Sequence, residues 1–92
     1  MLFEWDKKKA QSNLKKHRVS FVEAQEVFSD PYARVIDDPD HSYDEERFII
    51  VGISSSLRVL VVAHCYRQGG DSIRIISARK ATAREEEQYW RF

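Results

Sequence analysis

The sequence contains a single cysteine, Cys65, among its 92 residues. An internal disulfide is therefore impossible, which is typical of proteins that work in a reducing compartment. The sequence also lacks an apolar run long enough to cross a membrane, and its first residues do not have the pattern of a secretory signal. We therefore expect a cytoplasmic protein with no membrane partner.

Glycine is scarce as well, and two of the three glycines are adjacent, at Gly69 and Gly70. A hairpin turn explains this pair, and no glycine-rich phosphate-binding loop is present. The three histidines and the one cysteine have no spacing typical of zinc ligands, so we expect neither a metal site nor a cofactor. Cys65 alternates away from His64 along a predicted strand, which argues against a Cys–His nucleophile pair.

A length of 92 residues predicts one domain over residues 1–92. Its charge is balanced overall but divided into blocks along the chain. Residues 1–18 hold six basic and two acidic side chains, residues 19–47 hold two and nine, and residues 48–92 hold seven and four. Separate basic and acidic surfaces would allow one to bind nucleic acid and the other a basic partner. A solvated surface that compensates its own charge is the alternative, and charge alone favours it.

Hydrophobic periodicity predicts the element order β-α-α-β-β-β-β-α. The strands are predicted at 2–5, 32–36, 47–53, 58–66 and 71–78. The helices are predicted at 7–17, from Ser20 to Asp30, and from Thr82 to about Trp90, with Asp6, Ser20 and Thr82 as N-caps. In the first helix an apolar stripe is formed by Ala10, Leu14 and His17. The short links between the last four strands predict an antiparallel meander packed against helices, an α+β fold.

The register of the meander follows from its two predicted turns. A turn at Ser55-Ser56 places Ile49 opposite Val62 and Arg47 opposite His64. A hairpin closed symmetrically by residues 67–70 places Val62 opposite Ile75 and Arg58 opposite Arg79. Because opposite residues share a face, the predicted core face carries Ile49, Val51, Ile53, Leu60, Val62, Ile73 and Ile75. A slip of one residue would move a strand's side chains to the other face.

Arg58 opposite Arg79 is the local feature that most suggests a binding site. Two guanidinium groups across a ladder repel each other unless an anion lies between them, and a phosphate would satisfy both. Lys80 and Arg84 follow closely, at the start of the last helix, where anions are favoured. The alternative is that Glu85, Glu86 or the acidic loop at 37–44 neutralises the arginines. Spacing alone leaves these two interpretations equal.

Three further groups of residues are candidates for chemistry. The basic first helix, including Lys16 and His17, either tracks a phosphate backbone or is a solvated face. His64 is either a general acid or base, close to Arg67, or a structural core residue. His41 lies in the acidic loop, where turn hydrogen bonds explain it. The C-terminal aromatic residues either stack on bases or pack the last helix, and they are Tyr89, Trp90 and Phe92.

The sequence resembles a known family from Phe3 to Tyr89. The residues that carry the resemblance are Phe3-Glu4-Trp5-Asp6, Lys9-Ala10, Asn13, Lys16-His17, Val19-Ser20-Phe21, Glu23-Ala24, Val27-Phe28, Asp30-Pro31, Asp40-His41-Ser42, Glu45-Glu46-Arg47, Gly52, Arg58-Val59-Leu60-Val61-Val62, His64, Arg67, residues 74–81, Glu85, Glu86 and Tyr89. Together these motifs resemble the BrnT family of bacterial ribonuclease toxins.

The resemblance implies a RelE-like fold and an endoribonuclease toxin of a type II toxin–antitoxin pair, which inhibits translation and growth. It implies metal-independent cleavage, in which the ribose 2′-hydroxyl attacks the adjacent phosphate. It also implies a BrnA-like antitoxin with a ribbon-helix-helix domain, a 2:2 heterotetramer, and binding of operator DNA through the antitoxin.

For such an enzyme we expect Arg58, His64, Arg67 and Arg79 to be catalytic and Lys16, His17, Lys80 and Arg84 to bind RNA. Arg58 and His64 are six residues apart on one strand, roughly 20 Å, so they cannot contact one phosphate. The site therefore lies either at the Arg58–Arg79 end or around His64 and Arg67, with His17 as a further candidate there, and the sequence leaves both open. A non-catalytic interaction module, such as a co-repressor subunit in a DNA-binding complex, is the alternative function.

Overall fold

The structure, a computed structural model, describes residues 2–38 and 46–91. Most of the predicted acidic loop, including His41, lies outside these residues, as does Phe92. The elements follow the predicted order, with strands β1 (Leu2–Glu4), β2 (Arg34–Asp37), β3 (Phe48–Ile53), β4 (Val59–Arg67) and β5 (Ser72–Lys80), and helices α1 (Lys7–His17), α2 (Phe21–Glu26) and α3 (Ala83–Tyr89). In the described ranges, no helix is both long and apolar enough to span a membrane.

The helix boundaries are set by the side chains that the sequence placed at them. The Asp6 carboxylate accepts a hydrogen bond from the Lys8 N–H at 2.8 Å, and the Ser20 hydroxyl accepts one from the Glu23 N–H at 3.0 Å. Thr82 and Glu85 form a complete capping box at the start of α3. α1 ends at His17, and the next residue, Arg18, caps it in a left-handed conformation with φ of 60°. The predicted N-caps are therefore confirmed.

The five strands form one mixed sheet in the order β1-β5-β4-β3-β2. β2 to β5 make the predicted antiparallel meander, and β1 joins the far side of β5 in parallel. The α+β fold class is therefore confirmed. One face of the sheet, the helix-covered face, packs on α1 and α2 and carries Ile50, Leu60, Val62, Ile73 and Ile75 in the buried core.

The predicted register between β3 and β4 was wrong by one residue. Phe48 lies opposite His64, and Ile50 lies opposite Val62. The turn is longer than predicted: the Ser54 N–H bonds to the Arg58 carbonyl, and Leu57 adopts a positive φ of 64°. This three-residue loop with a left-handed last residue replaces the predicted two-residue turn. Consequently the side chains of β3 that were assigned to the core lie on the other face of the sheet, and they are Ile49, Val51 and Ile53.

The predicted register between β4 and β5 was also wrong, so Arg58 and Arg79 do not face each other. Arg79 lies opposite Val61, and the hairpin closes between Arg67 and Ser72. A β-bulge adds one further residue at Ile76, for which the register has no partner. Such a bulge reverses the alternation of side chains beyond it. Ala78 therefore joins the core while Arg79 lies on the opposite face.

α1 docks on β5 through a polar side chain, and of the predicted apolar stripe Ala10 packs against the core while Leu14 does not. Leu14 is 49% exposed, whereas Asn13 is buried. The Asn13 amide donates to the carbonyls of Val19 and Ala78 and accepts from the Ala78 N–H. The side chain thus completes the backbone hydrogen bonds of β5 beyond the point where β1 ends. This contact fixes the position of α1 against the strand.

Candidate functional site

A groove lies on the second face of the sheet, which we call the open face because α1 and α2 do not cover it. The groove encloses about 230 Å³ between α3 and the strands. We call it the α3 groove. Its floor is apolar and its rim is charged, and its lining residues are Arg34, Ile36, Ile49, Val51, Val61, Arg79, Glu85, Gln88 and Tyr89.

Arg79 is the most constrained cation of the α3 groove. Its guanidinium forms a bidentate pair with the Glu85 carboxylate, with N···O distances of 2.7 and 2.9 Å. The pair lowers the pKa of Glu85 to about 2 and raises that of Arg79. The Arg79 side chain nevertheless remains 41% exposed. The groove therefore presents a fork-shaped cation, held in a fixed orientation by a carboxylate, to a ligand in solution.

Tyr89 anchors α3 against the sheet. Its ring is buried, and its hydroxyl donates a hydrogen bond to the Asp30 carboxylate at 2.5 Å. Burial and the contact with Asp30 raise the pKa of Tyr89 to about 12, so its hydroxyl stays protonated at neutral pH. Trp90 packs edge-on against Tyr89 but is 61% exposed. The last helix is thus held by one of the predicted aromatic residues and leaves another in solvent.

Arg58 lies away from the α3 groove, in contact with α2. Its guanidinium bonds to the Glu23 carboxylate through two nitrogens and to the Arg18 carbonyl. The hydroxyls of Ser54 and Ser56 donate to the same carboxylate at 2.7 Å. The bond from Arg58 contributes most to lowering the pKa of Glu23, to about 2. This network fastens the β3–β4 turn to α2.

His64 lies in the core, with no exposed surface. Three aromatic rings surround it, those of Phe28, Phe48 and Tyr66, with centroids 4.9 to 6.1 Å from the imidazole. Nδ1 lies 3.3 Å from the Val62 carbonyl oxygen, and Nε2 has no hydrogen-bond partner. Burial lowers the pKa of His64. The imidazole is therefore neutral and inaccessible to a macromolecular substrate.

The remaining predicted residues fall into two regions. Arg67 lies on the open face at the end of β4, six residues from Val61, roughly 20 Å along the strand. Lys80 and Arg84 are exposed, at the end of β5 and in the first turn of α3. Lys16 and His17 line a separate groove of about 320 Å³, the α1 groove, together with Lys8, Lys9, Ser12, Asn13, Ile76 and Ser77.

Sequence reasoning named pairing of the arginines with Glu85 as one of two alternatives, and the structure bears it out for Arg79. What sequence reasoning missed is that Glu85 is held in position to make this pair. The signal was present: Thr82 and Glu85 have the spacing of a capping box, which fixes the glutamate in the first turn of α3. It also missed Asn13 as the residue that docks α1. The available signal was a polar residue three positions after Ala10 and next to Leu14, on the predicted apolar side of α1. Asn13 was noted only as part of the family pattern.

Comparison with known proteins identifies the family. A family profile described as "Ribonuclease toxin, BrnT, of type II toxin-antitoxin system" matches residues 5–85. A 1.1 Å crystal structure of the Brucella abortus ribonuclease toxin BrnT is similar to this chain, with 25% sequence identity and a TM-score of 0.66. The similarity covers 89% of this chain and 99% of the Brucella chain. No curated protein sequence matches this chain significantly. The chain therefore belongs to the BrnT family of type II toxin–antitoxin ribonuclease toxins.

Proposed function

We propose that this chain is an endoribonuclease that cleaves RNA in the α3 groove through attack of the ribose 2′-hydroxyl on the adjacent phosphate. The 2′-oxygen bonds to phosphorus as the bond from phosphorus to the 5′-oxygen breaks, the 2′-hydroxyl proton passes to water, and the 5′-oxygen takes a proton from water, which leaves a 2′,3′-cyclic phosphate and a 5′-hydroxyl. The observation that carries the proposal is Arg79, a fork-shaped cation held in an open groove on the face that α1 and α2 leave free. Membership of a family of ribonuclease toxins supplies the reaction class.

In this proposal Glu85 stays on Arg79, and an RNA phosphate binds the guanidinium N–H groups that Glu85 and the Lys80 carbonyl leave free. These N–H groups lie on Nε and Nη2, which together present a second fork to two phosphate oxygens. Arg79 then lies against the phosphate as negative charge develops on the phosphorane, where a preorganised cation lowers the barrier most. Arg34 supplies a second cation to the same groove. Lys80 and Arg84 attract the RNA to this end of the sheet.

The other predicted catalytic residues have different roles in this proposal. Arg58 holds the β3–β4 turn through Glu23, and His64 fills the core. Arg67 is too far along β4 to reach a phosphate on Arg79. Because the RNA supplies its own nucleophile, the reaction needs no metal-bound hydroxide, and among residues 2–38 and 46–91 no group of His, Cys, Asp or Glu is arranged to hold a metal ion.

Expression and cleavage assays test this function. Induced expression is expected to arrest growth, and purified protein is expected to cut RNA in EDTA, leaving 2′,3′-cyclic phosphate ends. Arg79→Ala should abolish both effects while the protein remains folded. Arg91→Ala is the matched control, because Arg91 is exposed and pairs only locally with Glu87. Equal activity of the two variants would refute the role of Arg79.

The same assays can also contradict the proposed reaction itself. Wild-type protein that leaves RNA intact with and without ribosomes would contradict the catalytic proposal. Sequence-specific DNA binding by such an inactive chain would instead support the co-repressor alternative.

We further propose that a BrnA-like antitoxin with a ribbon-helix-helix domain neutralises the toxin in a 2:2 complex that binds operator DNA. Membership of a type II family implies a protein antitoxin and supports this part of the proposal. Co-expression with the protein encoded by the neighbouring gene should yield a stable complex whose light-scattering mass equals two copies of each chain. Recovery of the toxin alone, or of a 1:1 complex, would contradict the stoichiometry.

A further inference from the structure

The α1 groove is a basic concavity, lined by Lys8, Lys9, Lys16 and His17. One wall is α1, and the floor is the β5 bulge at Ile76 and Ser77. Lys9, Asn13 and His17 are spaced four residues apart and face the strand. Lys8, Ser12 and Lys16 form a parallel row one position earlier, because residues four apart lie on the same side of a helix. The groove is thus walled by two rows of side chains along α1.

The positive charge of the α1 groove is not neutralised by neighbouring acids. α1 contains no acidic residue, and none of the residues lining the groove is acidic. The ion pairs found in the described ranges all use arginine and none uses lysine. Among these ranges Glu4, Glu23, Glu85 and Glu87 are engaged by arginines, whereas the lysines of α1 remain available to an external anion.

We propose that the α1 groove is a second RNA-backbone site, which binds phosphates of a single strand next to the cleavage site. This proposal takes RNA as the ligand from the proposed ribonuclease function. Lys8 and Lys16 are two helical turns apart, about 12 Å along the axis, which suits successive phosphates better than a single one. Ser77 on the groove floor is two residues from Arg79, about 7 Å along β5. β1 pairs with β5 only as far as Arg74, so in this proposal one strand of RNA passes round the edge of β5 from the α1 groove to Arg79 on the open face.

The composition of the α1 groove favours nucleic acid over a protein ligand. The centres of protein interfaces are enriched in aromatic residues and arginine and depleted in lysine. This groove has three lysines and a histidine and only one large apolar side chain, Ile76. Lysine binds phosphate as a point charge without a required orientation, which suits a flexible single strand.

The test compares two double variants that change the net charge equally. Lys9→Gln/Lys16→Gln removes two charges of the α1 groove, and Lys7→Gln/Lys15→Gln removes two charges of the same helix that do not line it. Gln and Lys have similar helix propensities, so both variants should keep α1 intact, which circular dichroism and thermal denaturation verify. Binding is measured with a 2′-O-methyl RNA oligonucleotide, which lacks the nucleophile and cannot be cleaved.

The groove variant should lose two phosphate contacts. The slope of log K against log salt should fall by about 1.4, which corresponds to roughly 25-fold weaker binding at 0.1 M salt if the affinities converge at 1 M. The control variant should keep a slope within about 0.5 of wild type, on the same scale of about 0.7 per contact. Equal losses in the two variants, or no measurable binding by wild type, would overturn the proposal.

The outcome is separable from that of the proposed catalytic function. If wild type fails to cleave RNA while the groove variant, and not the control variant, loses RNA binding, the α1 groove binds RNA as proposed and the catalytic proposal is contradicted. If wild type cleaves RNA and the groove variant binds RNA as tightly as wild type, the proposal that the α1 groove binds RNA is contradicted and the catalytic proposal is supported. A groove variant that binds RNA normally but loses its antitoxin also overturns the proposal, because the occupant is then a protein.

Discussion

Replacing Asn13 with alanine tests the contact that docks α1 on β5. The side chain is 7% exposed and makes three hydrogen bonds to backbone groups, with Nδ2 2.8 Å from the Ala78 oxygen and 3.0 Å from the Val19 oxygen. Its Oδ1 lies 3.1 Å from the Ala78 nitrogen. Alanine leaves these three backbone groups without partners at a place that solvent scarcely reaches. The substitution therefore removes the link between helix and strand without removing an apolar contact.

The magnitude follows from the number of groups left unpaired. Each hydrogen bond contributes about 1 kcal/mol net, and a buried unpaired group costs about 1–3 kcal/mol. The higher helix propensity of alanine offsets about 0.5 kcal/mol. The free energy of unfolding of Asn13→Ala should therefore fall by about 3 kcal/mol. For a domain of this size, that corresponds to a Tm lower by roughly 12–24 °C.

Urea denaturation at pH 7, followed by circular dichroism, measures the difference. Gln11→Ala is the control on the same helix, because Gln11 is exposed, and its effect should stay within about 0.5 kcal/mol. Asn13→Asp is nearly the same shape but puts carboxylate oxygens against two carbonyls, so it should destabilise the fold comparably. A loss below about 1 kcal/mol in Asn13→Ala would refute the assignment of Asn13 as the docking residue.

Three other substitutions test the core and its electrostatics. Burial lowers the pKa of His64 from 6.5, so the folded protein resists protonation of the imidazole. The contribution of the neutral imidazole to the free energy of unfolding is complete above pH 6.5 and is lost as the pH falls, by at most about 1.4 kcal/mol per pH unit. His64→Leu should therefore lose less stability than wild type between pH 7 and 5 in urea denaturation. The pKa of Glu23 is lowered from its ordinary 4.5 to about 2, so its contribution to the free energy of unfolding is complete above pH 4.5 and is lost as the pH falls towards 2. Glu23→Gln should lower the free energy of unfolding by about 2 kcal/mol at pH 7 and weaken its dependence on acid pH. An unchanged pH dependence would contradict the network around Glu23. Gly52→Ala places a Cβ 3.1–3.2 Å from side-chain atoms of Ala33, Asp30 and Val27, and it should lower the free energy of unfolding by about 1–3 kcal/mol. A variant as stable as wild type would show that these side chains can shift without loss of stability.

The elements of the fold were predictable because local patterns specify them. Asp6, Ser20 and Thr82 each supply an N-cap oxygen, and alternation in 58–66 and 71–78 marks the two longest strands. The parallel pairing of β1 with β5 was not predicted, because three residues carry no signal of their partner. The pairing is long-range, and it is accompanied by packing of α1 and α2 on β5.

The candidate site was less predictable because it depends on register. Arg79 remains a candidate in the proposed function, but the guanidinium of its predicted neighbour, Arg58, pairs with Glu23 of α2 instead. Leu57 in a left-handed conformation lengthened one turn, and the bulge at Ile76 shifted the other hairpin. Neither position is occupied by glycine or asparagine, the residues that normally indicate such backbone geometry in a sequence. Single residues of this kind exchange the two faces of a strand and so determine which side chains share a site.

The bulge at Ile76 relates the two proposed RNA-contact surfaces. Without an extra residue, strict alternation after Ile73 and Ile75 would turn Ser77 and Arg79 into the core and turn Ala78 out of it. With the bulge, Ala78 is fully buried and presents its backbone to Asn13, while Arg79 reaches the α3 groove on the open face. The same irregularity forms the floor of the α1 groove. A single departure from regular strand geometry thus allows one strand to supply the core, the docking point of the basic helix and the proposed phosphate contact.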